Sequence, residues 1–307
     1  MFIVKNRKIF IAISSLLVVA SLVLLSVFGL KLGIDFKGGA LTEVHYATRP
    51  AIEKLTPTLD GLNIGEVHVQ STGQDGYIVK TRDLTPEERQ SLMGALSEKG
   101  ASPITATTYS SIGPSVGKEL TRKAIILIIL VSLMIVTFIA YAFRGVSQQI
   151  ASWKYGVIAI VTLLHDVIIP VGIFTVLSHV YGAEVDTLFV VAILTVLGLS
   201  VSDTIVVFDR IRENLHAQNA EKKDVPFADV VGKSLSQVYT RSVNTSLTVI
   251  MVLLALFFFG PESTRYFALM LTAGMFFGTY SSIFLASPLL VVWENYTHKK
   301  ALAAEKK

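Results

Sequence analysis

The sequence contains no cysteine. Disulfides, thiolate metal sites and cysteine nucleophiles are therefore excluded, although this absence says nothing about compartment. Charge is also scarce. Asp, Glu, Lys and Arg make up 16% of the chain, against about 25% in soluble domains. Hydrophobic residues reach 52% and mean hydropathy is +0.59. A chain so poor in charge keeps most of its length out of water. Metal-ligand spacing is missing among His45, His68, His165, His179, His216 and His298. No Ser-His-Asp order in the segment between the first two apolar runs suggests a triad. Gly33–Gly39 follows no strand and precedes no Gly-Lys-Ser/Thr, so it is not a P-loop. The sequence thus predicts no cofactor and no metal. The net charge of +4 sits mainly beside apolar runs. It points to membrane topology and not to nucleic acid.

Six apolar runs are present: Ile9–Leu30, Lys123–Phe143, Tyr155–Leu177, Thr187–Phe208, Val243–Phe259 and Tyr266–Trp293. Each can supply the roughly 20 residues that a bilayer needs, the fifth by borrowing polar residues before it. The first run is too long for a signal h-region of about 7–15 residues, so it reads as an uncleaved transmembrane helix. Trp153, Tyr155, Tyr181, Tyr266, Trp293 and Tyr296 lie near run ends, as in an aromatic belt. Lys5, Arg7, Lys8, Arg144, Lys154, Arg210, Arg212, Lys222, Lys223, Lys233, Lys299, Lys300, Lys306 and Lys307 fall on one side; Ser178–Asp186 has no Lys or Arg. The positive-inside rule predicts cytoplasmic termini and an extracytoplasmic segment between the first two helices.

The predicted organisation has four parts. Residues 1–30 form the cytoplasmic N-terminus and first helix. Residues 31–122 form an extracytoplasmic α+β domain. Residues 123–296 hold five helices and a cytoplasmic loop at 209–240, and 297–307 form a cytoplasmic tail. Within the outside segment, Leu41–Ala47, Gly65–Ser71, Tyr77–Arg82 and Ile104–Ser110 read as strands. Pro50–Leu59 reads as a helix, as does Thr85 to about Lys99, with Thr85 as N-cap and Pro86 at N1. This β-α-β-β-α-β order is ferredoxin-like. The glycines of Gly33–Gly39 and Ile112–Gly117 read as a close-packed junction.

Ionisable groups cost about 2.5–3.5 kcal/mol at a transmembrane helix centre. Three sites keep polar groups despite that cost. The fourth run holds Ser202, Asp203 and Thr204 near its cytoplasmic end. A carboxyl held out of water there can take up and release a proton, or it can be a boundary group that reaches interfacial water. The third run holds His165 and Asp166 near its middle. Adjacent residues diverge by about 100° on a helix, so one can bond to a neighbouring helix while the other serves a relay. A structural interhelical bond is favoured for His165. Pro170, one turn on, frees a backbone carbonyl of the kind that lines cavities. The fifth helix carries Gln237, Arg241, Asn244, Thr245 and Thr248 at spacings of three and four, a single polar stripe. Such a stripe faces protein or water, not lipid. Asp203 and Arg241 lie at similar depth, and the sequence predicts that they approach each other.

Taken in order, Gly33-Ile-Asp35-Phe-Lys-Gly-Gly39, Ile112–Gly117, Leu164-His-Asp166, Ser202–Asn214, Arg241 and Asn244-Thr-Ser246 resemble the SecF family of protein-export membrane proteins. The likeness runs from the first helix to the sixth. It implies one six-helix half of an RND-like fold, with SecD as the complementary half. It further implies an accessory complex of the bacterial inner membrane that assists the SecYEG channel. That complex uses the proton motive force to draw the emerging preprotein outward. Asp203 and Arg241 then match the family's proton-conducting residues, with Asp166 a further candidate; His165, Ser202, Thr204, Asn244, Thr245 and Thr248 are supporting polar groups. One charge crossing about 100 mV is worth about 2.3 kcal/mol, enough to bias a two-state motion of the outside domain. Two other readings remain open: an RND-type proton-coupled exporter of lipids or small molecules, and a purely structural translocon subunit.

Overall fold

The computed structural model describes residues 2–142, 152–220 and 225–305. Phe143, Arg144, Lys222, Lys223, Lys306 and Lys307, used in the helix and charge reading above, lie outside the described residues. In chain order the elements are α1 (Phe2–Lys5), α2 (Arg7–Phe28), α3 (Ile34–Lys37), β1 (Gly39–Tyr46), α4 (Ile52–Asp60), β2 (His68–Thr72), β3 (Gly76–Thr81) and α5 (Pro86–Leu96). Then come β4 (Ile104–Ile112), α6 (Pro114–Ala142), α7 (Ser152–Tyr181), α8 (Thr187–Ala220), α9 (Phe227–Phe259), α10 (Glu262–Ser281), a π-turn (Ser282–Ala286) and α11 (Ser287–Glu305). Among the described residues, six helical stretches are long and apolar enough to cross a membrane: α2, α6, α7, α8, α9 and the run Glu262–Thr297. Two compact units result. One comprises Met1–Leu30, Ile128–Ala183 and Leu188–Lys307; the other comprises Lys31–Leu127 and Glu184–Thr187.

The smaller unit is built on a four-stranded antiparallel sheet ordered β2-β3-β1-β4. With α4 and α5 as crossovers, this is the ferredoxin-like arrangement. Strand periodicity sends Val44 and Tyr46 of β1, and Tyr77 and Val79 of β3, to one face. There they bury Leu55 and Leu59 of α4, and Leu92, Ala95 and Leu96 of α5. Burial also pushes the Tyr46 hydroxyl up to about 12, and it donates to the Leu96 carbonyl at 3.1 Å. Pro50 lies outside the helix expected to hold it, because Ala51 is extended (ψ 138°) and α4 starts at Ile52. The α5 helix stops at Leu96, short of Lys99, where the chain tightens into a 3₁₀ turn at Glu98–Gly100. Its start is a capping box. Thr85 Oγ1 accepts from Glu88 N at 3.3 Å, and Glu88 Oε2 accepts from Thr85 N at 2.9 Å.

The glycine motif is a crossing of backbones. A Cβ on Gly117 would lie 2.9 Å from Gly38 N and Phe36 O, and Gly38 itself has φ +81°. Only glycine fits such an approach. A further piece, absent from the sequence reading, joins this unit. Gly33 N donates to Val185 O at 2.8 Å, and Val185 N to Lys31 O at 2.7 Å. Asp35 Oδ2 accepts from Thr187 N at 2.8 Å and Thr187 Oγ1 at 2.6 Å, and Lys80 pairs with Glu184 at 2.9 Å.

In the larger unit, α7, α8 and α10 with its continuation are the buried helices; α2, α6 and α9 expose most of their spanning surface. Small residues set the crossings. A Cβ on Gly274 would lie 2.1 Å from Val196 Cγ2 of α8, and one on Gly172 of α7 would lie 2.4 Å from Ser21 Cβ of α2. Pro170 is buried within α7, which stays helical through it. The expected loop at 209–240 is largely helix. Its ends are the extensions of α8 and α9, which bury Ile211, Leu215, Val230, Val231 and Leu235. Asn214 Nδ2 donates to Ser234 Oγ at 2.7 Å and to Gln237 Oε1 at 2.8 Å between the two extensions. Lys154, read above as a topology charge, is buried and paired with Glu294 at 2.9 Å.

Hydrogen bonds from Arg82 and Thr85 hold the Glu88 carboxyl down near about 2. A depressed carboxylate contributes stability above its unfolded value of about 4.3, and that contribution fades as pH falls through the folded value. Glu88→Gln is therefore expected to lower amide-exchange protection of α5 near neutral pH, with the deficit closing as pH falls from about 4 to about 2. In the bundle, Gly274→Val is expected to cost about 1–3 kcal/mol through overpacking. Gly156→Val, with open space around it, should cost less; thermal unfolding in detergent compares them.

Candidate functional site

Two carboxylates sit among hydroxyls in the larger unit. Asp166 of α7 is fully buried. Its Oδ1 lies 2.7 Å from His165 Nδ1. Its Oδ2 accepts from Ser281 Oγ of α10 at 2.7 Å and from Ser200 Oγ of α8. One carboxylate thus ties three helices. A charge away from water needs this number of partners. The neighbour relation of His165 and Asp166 is a direct contact and not the divergence expected from 100° of helix. The imidazole lies against α10, edge-on to Phe277 and stacked on Tyr280 at 6.2 Å between centroids. The interhelical bond expected for His165 is thus made by Asp166.

Asp203 of α8 is half-buried. Its Oδ2 accepts from Thr279 Oγ1 of α10 at 3.2 Å and from Ser246 Oγ of α9 at 3.4 Å. One turn along α8 from Ser200, Thr204 Oγ1 donates to the Ser200 carbonyl at 3.2 Å and meets Ser282 Oγ at 2.9 Å. Thr279 and Ser281 of α10 and Ser282, the first residue of the π-turn, thus form a hydroxyl ladder. π-Turns often mark functional positions.

The expected approach of Arg241 to Asp203 does not occur. Arg241 is exposed, and no hydrogen bond or ion pair to it is found among the described residues. The cause is helical phase. Ser246, which does reach Asp203, lies five residues on, about 140° round α9 from Arg241. The inward stripe of α9 is Leu235, Val238, Ser242, Ser246 and Leu253. The outward one is Gln237, Arg241, Asn244, Thr245 and Thr248, all exposed. Gln237 alone of these is bound from α8, by Arg210 Nε at 2.7 Å and by Asn214. Ser202 is exposed too, on the outer face of α8 beside Gly198 and Leu199. Of the expected residues, His165, Asp166, Asp203 and Thr204 therefore belong to inner networks. Arg241, Ser202, Asn244, Thr245 and Thr248 lie on an outer polar face.

The sequence reading missed Ser200, Ser246, Thr279, Ser281 and Ser282 as site residues. Serine and threonine are common in membrane helices, where they can bond to their own backbone. Only the depth-matched carboxylates distinguish these five. Adjacent Ser281-Ser282 in an apolar run was a usable signal.

Residues 93–296 match the family described as Protein export membrane protein SecD/SecF, C-terminal, and residues 23–48 match the SecD/SecF GG motif. The chain belongs to the SecD/SecF family. It is 43% identical to the Protein translocase subunit SecF of Thermobaculum terrenum, covering 95% of this chain and 94% of that one. Identity to the Bacillus subtilis Protein translocase subunit SecDF is 33%, over 96% of this chain but 38% of that protein. The crystal structure of SecDF from Thermus thermophilus, titled a translocon-associated membrane protein, superposes with a TM-score of 0.80 at 31% identity. That match covers 95% of this chain and 38% of the other. The chain therefore spans about two fifths of the solved SecDF structures it matches. Its six apolar helices and this membership make it a multi-pass membrane protein of the SecD/SecF family.

The inner hydroxyl network is tied most tightly at Asp166. Ser281→Ala is expected to lower bundle stability by roughly 1 kcal/mol, between the values typical of membrane and of charged hydrogen bonds. In the chain alone, Thr245→Ala should change it by less than about 0.5 kcal/mol; thermal unfolding in detergent reads both.

Proposed function

We propose that this chain is the SecF-type half of a two-half, proton-driven accessory to protein translocation. The observation that carries this reading is the outer polar face of α8 and α9. A membrane helix does not present an arginine, an asparagine and two threonines to lipid. They need a protein or a water-filled space, and the described residues of this chain cover none of the four. A second six-helix half of the SecD type supplies both. The fusion of SecD and SecF names in relatives of more than twice the aligned length supports that partner.

In this reading Asp203 takes up and releases the transported proton, at a position half open toward the outer face. Arg241 lies on that face, where it meets the partner's groups and sets the local charge. Asp166 is the deeper proton-conduction candidate. Ser202, Asn244, Thr245 and Thr248 line the same partner-facing surface, while His165 and Thr204 belong to the inner network. The termini lie in the cytoplasm and residues 31–122 lie outside, following the distribution of positive charge. SecYEG and the emerging preprotein are the external partners. Protonation biases a two-state motion, and no substrate bond is broken, so the protein is not an enzyme.

Asp203→Asn is expected to remove the ionophore-sensitive part of preprotein export in cells that retain the SecD-type half. Arg241→Met should do the same. Export that keeps its full response to ionophore in both variants would contradict the proton-driven reading and leave a structural subunit.

A further inference from the structure

His165 Nε2 is buried and has no hydrogen-bond partner among the described residues, while Nδ1 of the same ring is held by Asp166. An ionised carboxylate only accepts, so Nδ1 carries the hydrogen between them and a neutral ring leaves a bare lone pair on Nε2. A buried polar nitrogen without a partner is costly. This one sits beside a carboxylate that is completely out of water.

We propose that His165 and Asp166 form an internal proton-holding dyad, loaded through Nε2 of His165. Charge counting supports it. With neutral imidazole and ionised carboxylate the pair carries one buried negative charge. Adding one proton makes it neutral, and adding a second makes it positive. The singly loaded state is thus the one that burial favours. Loading forms an N–H bond at Nε2. The Nδ1 hydrogen then stays, giving an ion pair, or passes to Asp166 Oδ1, giving imidazole and carboxylic acid. No electrons are transferred. The proton belongs to the pair and not to either residue.

The groups that face the dyad are few. From α10 come Tyr280, stacked on the ring, and Ser281. From α8 comes Ser200; Asp203, one turn on, is engaged by Ser246 and Thr279. The α2 helix bears charge only at its start, Arg7 and Lys8. From α11, Glu294 is paired with Lys154 about three turns of α7 away. No fixed cation neutralises Asp166 among these groups, so His165 is the partner available. A hydrogen arriving on Asp166 also competes with Ser200 and Ser281 for the same carboxyl. Loading therefore adjusts the tie between α7, α8 and α10. This inference extends the proton-coupled reading to a second site, but its test does not depend on export.

The test is ¹⁵N-histidine NMR of the full chain in lipid, with the His165 signal assigned by its loss in His165→Asn. The signal is expected to titrate, and Asp166→Asn should move its midpoint by about one pH unit or more. Asp203→Asn should leave it in place. A signal that stays in one neutral form from about pH 5 to about pH 9 overturns the dyad. So does a titration unchanged by Asp166→Asn. Should Asp166→Asn fail to fold, Asp166→Glu replaces it and should still move the midpoint. A titrating dyad in a protein whose export ignores Asp203→Asn would keep this inference and discard the proton-driven reading instead.

Discussion

A bilayer offers no water to a polar group, so each one in a spanning helix must be met by protein. The rest of this structure follows from how that demand is satisfied, residue by residue. Asp166 is met entirely within the chain, by His165, Ser200 and Ser281. Asp203 is met in part, by Ser246 and Thr279, and stays half open. The side chains of Arg241, Asn244 and Thr245 are exposed and have no partner among the described residues. This gradient runs from the centre of the bundle to its outer face.

The gradient also orders the helices. Glycines at 274 and 278 bring α10 against α8 closely enough for short hydroxyl side chains to bridge them. Larger residues there would separate Ser281 from Asp166. The close crossing and the buried carboxylate are therefore one construction. The smaller unit uses the same device differently. Its Gly38–Gly117 crossing brings chain segments together so that Asp35 can receive Thr187, the first residue of α8. Thr187 thus packs with Asp35 in the ferredoxin-like unit.

Much of this was legible in the residues. Apolar run lengths marked the six helices, and Thr85-Pro86 with Glu88 marked a helix start that is a full capping box. The antiparallel sheet followed from the order of short strands. Boundaries were less legible where packing overrides polarity. Residues 209–240 look polar enough for a loop, yet buried Ile211, Leu215, Val230, Val231 and Leu235 recur in it, and α8 runs to Ala220 while α9 starts at Phe227. Asp203 and Arg241 were singled out by cost alone. Depth suggested a pair, but helical phase decides contact, and phase placed Ser246 inward and Arg241 outward. The serines and threonines around the carboxylates carry no charge and so no comparable cost. Only the fold distinguishes them from their neighbours.

The central claim is that the outer polar face of α8 and α9 is covered by a second membrane half. The absence of native cysteine makes the chain a clean background for one introduced thiol. A spin label on Thr245→Cys, with Leu133→Cys on the exposed apolar face of α6 as reference, would report collision with oxygen dissolved in lipid. The account predicts that adding the SecD-type half protects position 245 and leaves position 133 lipid-exposed. Equal lipid exposure of position 245 with and without that half would contradict it.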